Sequence, residues 1–136
     1  MLEAWVDALI PADQDPGARD ARVVLYIDRQ LARKFKRQQP AYREALSAVD
    51  RLAEGQFAQI PLAERSEFLA AMERGEAPQG LFPDGGKAAF EMVLAHTLQG
   101  FYGSPRHGGN KDYASWKMIG VAPLPVRGRQ QYEVQS

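Results

Sequence analysis

The sequence predicts an all-α protein, a single small domain of five or six helices with a long Gly/Pro-rich C-terminal loop and an extended tail. Apolar residues recur at helical spacing in five stretches. No segment bounded by turn residues shows the alternation of apolar and polar residues that is typical of a strand. The 136 residues, 45% hydrophobic and 25% charged, suit one soluble domain. We therefore expect a helical domain over residues 1–120 and a tail over residues 121–136.

The first two helices are predicted from apolar stripes and from proline. One stripe runs from Leu2 to Ile10 and stops before Pro11. Asp15 followed by Pro16 predicts the cap and first turn of the second helix. The buried face of that second helix should consist of Val23, Val24, Ile27 and Leu31.

Proline and glycine also delimit the third and fourth helices. Pro40 opens the third, and Gly55 ends it; Pro61 opens the fourth, and Gly75 ends it. The third has the clearest amphipathic spacing, with Tyr42, Ala45, Leu46, Val49, Leu52 and Ala53 on one face. The fourth should bury Leu62, Phe68, Leu69 and Met72.

The fifth helix should be the most buried one, because it is apolar on two sides. Asp84 is its expected cap, and it should run to about Gln99, with Gly100 and Gly103 ending it. Its stripes are Ala89, Met92, Val93 and His96 on one side, and Phe90, Leu94, Leu98 and Phe101 on the other. A short sixth helix over residues 113–119, capped by Asn110 or Asp112, should turn Trp116 inward.

Composition excludes several kinds of chemistry. The absence of Cys removes disulfides, thiolate nucleophiles and Cys-based metal sites. The 17 basic and 17 acidic residues balance, so no net charge favours nucleic acid. His96 lies on an apolar stripe and should be a buried, neutral, hydrogen-bonded imidazole. His107 has no acid in the four preceding residues, so no local carboxylate would orient it as a catalytic base. Lys111 is not followed by Ser or Thr, so the glycine-rich segment does not match a phosphate-binding P-loop.

The region from Gly100 onward points to protein binding. Residues 100–112 contain four glycines, one proline and two aromatics, and the tail beyond has few apolar residues to anchor it. Charge is also uneven, since residues 29–43 hold six bases and no acid. Aromatic and Arg side chains dominate interface energetics. We therefore expect the loop and the tail to dock on another protein.

Several segments resemble one known family. The segment GFYGSPRHGGNKDYASWKMIG, residues 100–120, is similar to the signature of the gluconate 2-dehydrogenase subunit 3 family. The segments at residues 8–13, 16–18 and 27–31 resemble the N-terminal half of that family, and residues 96–103 also fit. The resemblance covers roughly residues 4–122.

The resemblance implies a non-catalytic, helical small subunit of an FAD-dependent sugar or polyol dehydrogenase, forming a heterodimer. It implies that a large GMC-type flavoprotein partner holds the FAD, that a cytochrome c subunit can accept electrons, and that this chain has no cofactor of its own. The absence of clustered metal ligands in the sequence predicts that it binds no metal either. The small subunit would assist maturation of the flavoprotein. Matching the motif gives these candidate partner-interface or loop-defining residues: Phe101, Tyr102, Pro105, Arg106, Gly108, Gly109, Asn110 and Trp116.

The resemblance also implies a periplasmic location. The balanced charge predicts no nucleic-acid partner, and the longest uncharged helical stretch, residues 92–102, is too short for a membrane span. The cytoplasm is the alternative, because residues 1–10 carry Glu3 and Asp7 and lack the basic start of a leader. Two other functions stay open from the residues alone. One is an autonomous binding or regulatory module, and the other is a small enzyme that uses His96 or His107.

Overall fold

The computed structural model describes residues 1–119, and the predicted tail, residues 121–136, lies outside them. The described residues form six α-helices and no strand. The helices are α1 Leu2–Leu9, α2 Val23–Leu31, α3 Gln39–Leu52, α4 Leu62–Glu73, α5 Lys87–Tyr102 and α6 Ala114–Ile119. Three 3₁₀ turns accompany them, at Lys36–Gln38, Pro105–His107 and Lys111–Tyr113. The all-α prediction is confirmed.

Helix α5 is the centre of the fold, as its two apolar stripes predict. It is the longest helix, with 16 residues, and it packs against each of the other five. Its buried residues are Phe90, Val93, His96, Thr97, Gly100 and Phe101. The N-cap of α5 is Gly86 rather than the expected Asp84. The Asp84 carboxylate still serves the first turn, since it accepts hydrogen bonds from the N–H groups of Ala88 (2.8 Å) and Gly86 (3.0 Å). These bonds hold the pKa of Asp84 below its usual range.

The predicted start of α2 is wrong. The helix begins at Val23 rather than at Asp15–Pro16, because Arg22 has a left-handed backbone (φ 53°) that an α-helix cannot pass through. The chain before it is instead held against the end of α1. Ala18 donates its N–H to the carbonyl of Ile10 (2.8 Å), and Gly17 donates to the carboxylate of Asp20 (2.9 Å).

The end of α5 also differs from the prediction. Gly100 lies inside the helix, which continues to Tyr102, and Gly103 is its C-cap. A Cβ built at Gly100 would lie 2.9 Å from the ring of Tyr26, so the missing side chain serves the close packing of α2 on α5. Helix α6 begins at Ala114, one residue later than expected, and Trp116 is half-buried.

Two leucines predicted to be buried are exposed. Leu62, in the first turn of α4, is 37% exposed, and Leu98 on α5 is 40% exposed. Leu62 is exposed at the start of its helix, whereas the buried side chains of α4 are Leu69 and Met72. Leu98 shares its side of α5 with the exposed Ala95 and Tyr102. Within residues 1–119, no helix is long and apolar enough to cross a membrane.

Candidate interaction site at the end of α5

The glycine-rich loop after α5, residues 103–113, folds back over the α2–α5 contact. A Cβ built at Gly108 would lie 3.3 Å from the backbone of Tyr26. A Cβ at Gly109 would overlap the carbonyl oxygen of Gly100. Farther along, Lys111 donates its N–H to the carbonyl of Ala21 (3.0 Å). The two glycines therefore allow the loop backbone to lie directly on the two helices.

Asn110 fixes the shape of this loop. Its side chain is fully buried, and its amide donates to the carbonyl of Gly103 (2.8 Å). Its side-chain oxygen accepts from both the N–H (2.9 Å) and the hydroxyl (2.8 Å) of Ser115. Asn110 has a left-handed backbone (φ 50°), which Asn tolerates better than most residues. One side chain thus joins the end of α5 to the start of α6.

Aromatic residues hold α6 against the end of α5. The indole N–H of Trp116 donates to the carbonyl of Tyr102 (2.6 Å), which satisfies a carbonyl in the last turn of α5. The rings of Tyr113 and Trp116 lie 5.4 Å apart, and Phe101 and Tyr102 meet edge to face at 4.8 Å. These contacts make the end of α5, the loop and α6 one unit.

The outer side of this unit is an exposed apolar strip, which we call the α5 terminal face, formed by Ala95, Leu98 and Tyr102. Leu98 is 40% and Tyr102 is 42% exposed, and they are four residues apart, so they lie on the same side of the helix. Ala95 is exposed one turn earlier. The half-buried Trp116 adjoins this face through its hydrogen bond to Tyr102.

The structure brings the eight predicted site residues together but gives them different surroundings. Three are buried, three are half-buried and two are exposed. The buried ones are Phe101, Gly109 and Asn110; the half-buried ones are Pro105, Gly108 and Trp116; the exposed ones are Tyr102 and Arg106. Buried residues shape the loop, so direct contact with another protein is available mainly to Tyr102, to Arg106 and to the half-buried residues.

Three residues that form or support this unit were not predicted as site residues. Leu98 was expected in the core, although its spacing of four from Tyr102 could have placed it on the same exposed side. Ser115, the partner of Asn110, and Tyr26, which packs on Gly100, carry no signal in the sequence. Their roles come from contacts between distant parts of the chain.

His96 belongs to a separate, internal cluster. Only 7% of the residue is exposed, its ring stacks on Phe35 at 3.8 Å, and its Nδ1 lies 2.7 Å from the hydroxyl of Tyr42. Burial, together with the positive charge of Lys34, lowers the pKa of His96, and burial raises the pKa of Tyr42. Both shifts favour a neutral imidazole that accepts a hydrogen bond from the Tyr42 hydroxyl. The predicted buried, hydrogen-bonded histidine is confirmed.

His107 is exposed in the loop and offers no catalytic arrangement. Its nearest side-chain hydrogen bond is a long one, 3.4 Å, from the guanidinium Nε of Arg106. No carboxylate orients it among the hydrogen bonds of residues 1–119. In that same part of the chain, His, Asp and Glu residues form no group of three that could hold a metal ion.

Comparison with known proteins identifies the family. The sequence model for gluconate 2-dehydrogenase subunit 3 matches residues 1–123. The chain belongs to that family. It is therefore a member of a family of dehydrogenase-complex subunits. No curated protein and no solved structure matches it.

The glycine-rich loop is not arranged as a dinucleotide-binding turn. A dinucleotide cradle places its glycine-rich turn between a strand and a helix, and residues 1–119 contain no strand. The glycine loop here is instead filled by contacts with α2 and α5.

Proposed function

We propose that this chain is the non-catalytic small subunit of an FAD-dependent sugar or polyol dehydrogenase. It stabilises a GMC-type flavoprotein subunit and assists its maturation in the periplasm. The FAD lies in that partner and not in this chain, and a cytochrome c subunit is a further candidate member of the complex. Family membership supports the complex, and the α5 terminal face supports the mode of binding.

The observation that carries this proposal is the exposure of Leu98 and Tyr102 on the central helix of the fold. Every other large apolar side chain on α5 is buried or half-buried. A partner that covered these two would gain apolar burial, about 25 cal/mol per Å². The loop and α6 brace the end of the helix through Asn110 and Trp116, so little conformational entropy would be lost on binding.

The alternative of a small His-dependent enzyme is not favoured. His96 is enclosed by Phe35 and Tyr42, and a substrate would have to displace that packing to reach its Nδ1. His107 lacks an orienting carboxylate. The two histidines also belong to different parts of the structure, since one lies inside the α2–α3–α5 packing and the other on the loop surface.

The test is co-purification of the tagged chain with its flavoprotein partner from co-expressing cells. Leu98→Gln removes apolar surface from the α5 terminal face, and Leu62→Gln, at a site of nearly equal exposure, is the matched control. Gln and Leu have similar helix propensities, so both variants should fold. We expect Leu98→Gln to lower the recovery of flavin-containing partner about tenfold, a ΔΔG of about 1.4 kcal/mol, with little effect of Leu62→Gln. Equal recovery of the partner with both variants would show that the α5 terminal face is not part of the interface.

A further inference from the structure

A strip of positive charge lies beside the loop, on the C-terminal half of α2 and the turn that follows. We call it the basic strip; its members are Arg29, Arg33, Lys34, Lys36 and Arg37. All five are exposed, and residues 29–43 contain no acid. None of the five forms an ion pair with a carboxylate of residues 1–119.

The acidic residues near the N-terminus, Glu3 and Asp7, differ from the basic strip because Arg side chains within the fold compensate their negative charge. Arg19 lies 3.5 Å from Glu3 and 3.7 Å from Asp7, and Arg65 lies 3.9 Å from Asp7. The basic strip has no such partners in the described part of the chain. Its positive charge therefore faces solvent and is available to a binding partner.

The loop after α5 lies against the basic strip. A Cβ built at Gly108 would lie 3.3 Å from Cδ of Arg29, so the loop lies directly against the first residue of the strip. The loop itself carries a further exposed base, Arg106, two residues before Gly108. Through the same loop, the strip is continuous with the end of α5.

We propose that the basic strip and Arg106 form the charged rim of the docking surface and bind an acidic surface on the flavoprotein subunit. This inference rests on the proposed function. The apolar α5 terminal face supplies contact area, and the rim orients the encounter and speeds association. Interfaces commonly combine an apolar centre with a charged, solvated rim in this way.

An acidic protein surface is favoured over anionic lipid. A membrane-surface helix places bases on one face and free apolar side chains on the other. Helix α2 instead buries Val23, Tyr26 and Ile27 in the domain core. Of the large apolar side chains of α2 only Leu25 is exposed, at 36%, so the helix offers a bilayer one side chain rather than an apolar face.

The test measures the association rate of the purified chain with the purified flavoprotein subunit by stopped-flow fluorescence between about 50 and 300 mM NaCl. Across this range the electrostatic screening length falls from above to below about 10 Å. The test variant is Arg33→Glu with Arg37→Glu. The control, Arg51→Glu with Lys87→Glu, changes the net charge equally at exposed sites. Lys87 begins α5, about 22 Å from Tyr102 at 1.5 Å per residue.

We expect salt to slow association of the unaltered chain about tenfold and the test variant to be slower by a similar factor at low salt. The control variant should associate normally, and Arg106→Glu should be slowed less than the double variant. Complex formation with no dependence on salt or on Arg33 and Arg37 would overturn this inference and leave the proposed function standing. Failure to form any complex would overturn both. If the chain instead bound phosphatidylglycerol vesicles in a salt-sensitive way, while its binding to the flavoprotein did not depend on salt, the basic strip would be a lipid-binding surface.

Discussion

Asn110 combines two properties that rarely coincide on one residue. It has a left-handed backbone, and its buried side chain makes three hydrogen bonds to two segments that the loop separates. Few other side chains provide both a donor and an acceptor and tolerate this backbone. The residue therefore controls the geometry of the loop without needing to touch a partner.

Asn110→Ala should lower the free energy of unfolding by about 2–3 kcal/mol, because it leaves the polar groups of Gly103 and Ser115 without partners. Thermal or urea unfolding of the free chain, followed by circular dichroism, measures this. Asp112→Ala is the control, since Asp112 is exposed, also has a positive φ (54°) and makes no side-chain hydrogen bond in the described structure. Similar losses in both variants would mean that backbone strain, and not the hydrogen bonds of Asn110, determines loop stability.

His96 should make stability depend on pH. Its pKa is lowered in the folded state by burial and by Lys34, so the unfolded chain binds a proton first as the pH falls. The contribution of His96 is fully present above the unfolded value of about 6.5 and decreases as the pH drops below it. The free energy of unfolding should therefore be smaller at pH 5.5 than at pH 7.5.

The His96→Gln variant separates this effect from other titrations. We expect it to be less stable than the unaltered chain at pH 7.5 by about 1–3 kcal/mol, since the stacking on Phe35 and the bond to Tyr42 are disturbed. The difference between the two proteins should shrink toward pH 5.5. A constant difference across urea titrations at both pH values would show that His96 does not titrate between the folded and unfolded states.

At the scale of elements, α5 has two different sections. Up to Thr97 it forms the centre of the core, and from Leu98 to Tyr102 it also carries the exposed face and the support for the loop. Gly100 lets α2 approach one side, and Gly109 lets the loop lie on the carbonyl of Gly100. The proposed docking surface is therefore an extension of the longest helix, whose packing against the other five helices holds it in place before any partner binds.

Gly109→Ala tests this close approach. Its Cβ would meet the Gly100 carbonyl oxygen, a backbone atom that can move only if the loop lifts from α5. We expect a loss of about 1–3 kcal/mol in unfolding free energy, the usual cost of overpacking. Gly80→Ala is the control, because nothing lies within 4 Å of its Cβ position, and it should be neutral in the same urea titration. Equal stability of the two variants would mean that the loop is not held against α5.

At the scale of the whole molecule, local signals predicted the helices well. Pro40, Pro61 and Asp84 mark the starts of α3, α4 and α5, because they act on their own backbone or on that of close neighbours. Asp15 and Pro16 failed as a start signal, since contacts with the end of α1 hold that segment out of a helix. The loop site could be located from sequence but not resolved into buried and exposed residues, because that division depends on packing against α2.

The most direct test of docking through the end of α5 is hydrogen exchange on the chain with and without the flavoprotein subunit, read by mass spectrometry. The account predicts slower exchange in residues 95–116 when the partner is bound, while α4, at Leu62–Glu73, stays unchanged as the internal reference. Local opening of the loop and of the end of α5 would be suppressed by the covered surface. Unchanged exchange over residues 95–116 in a complex that has demonstrably formed would contradict the account.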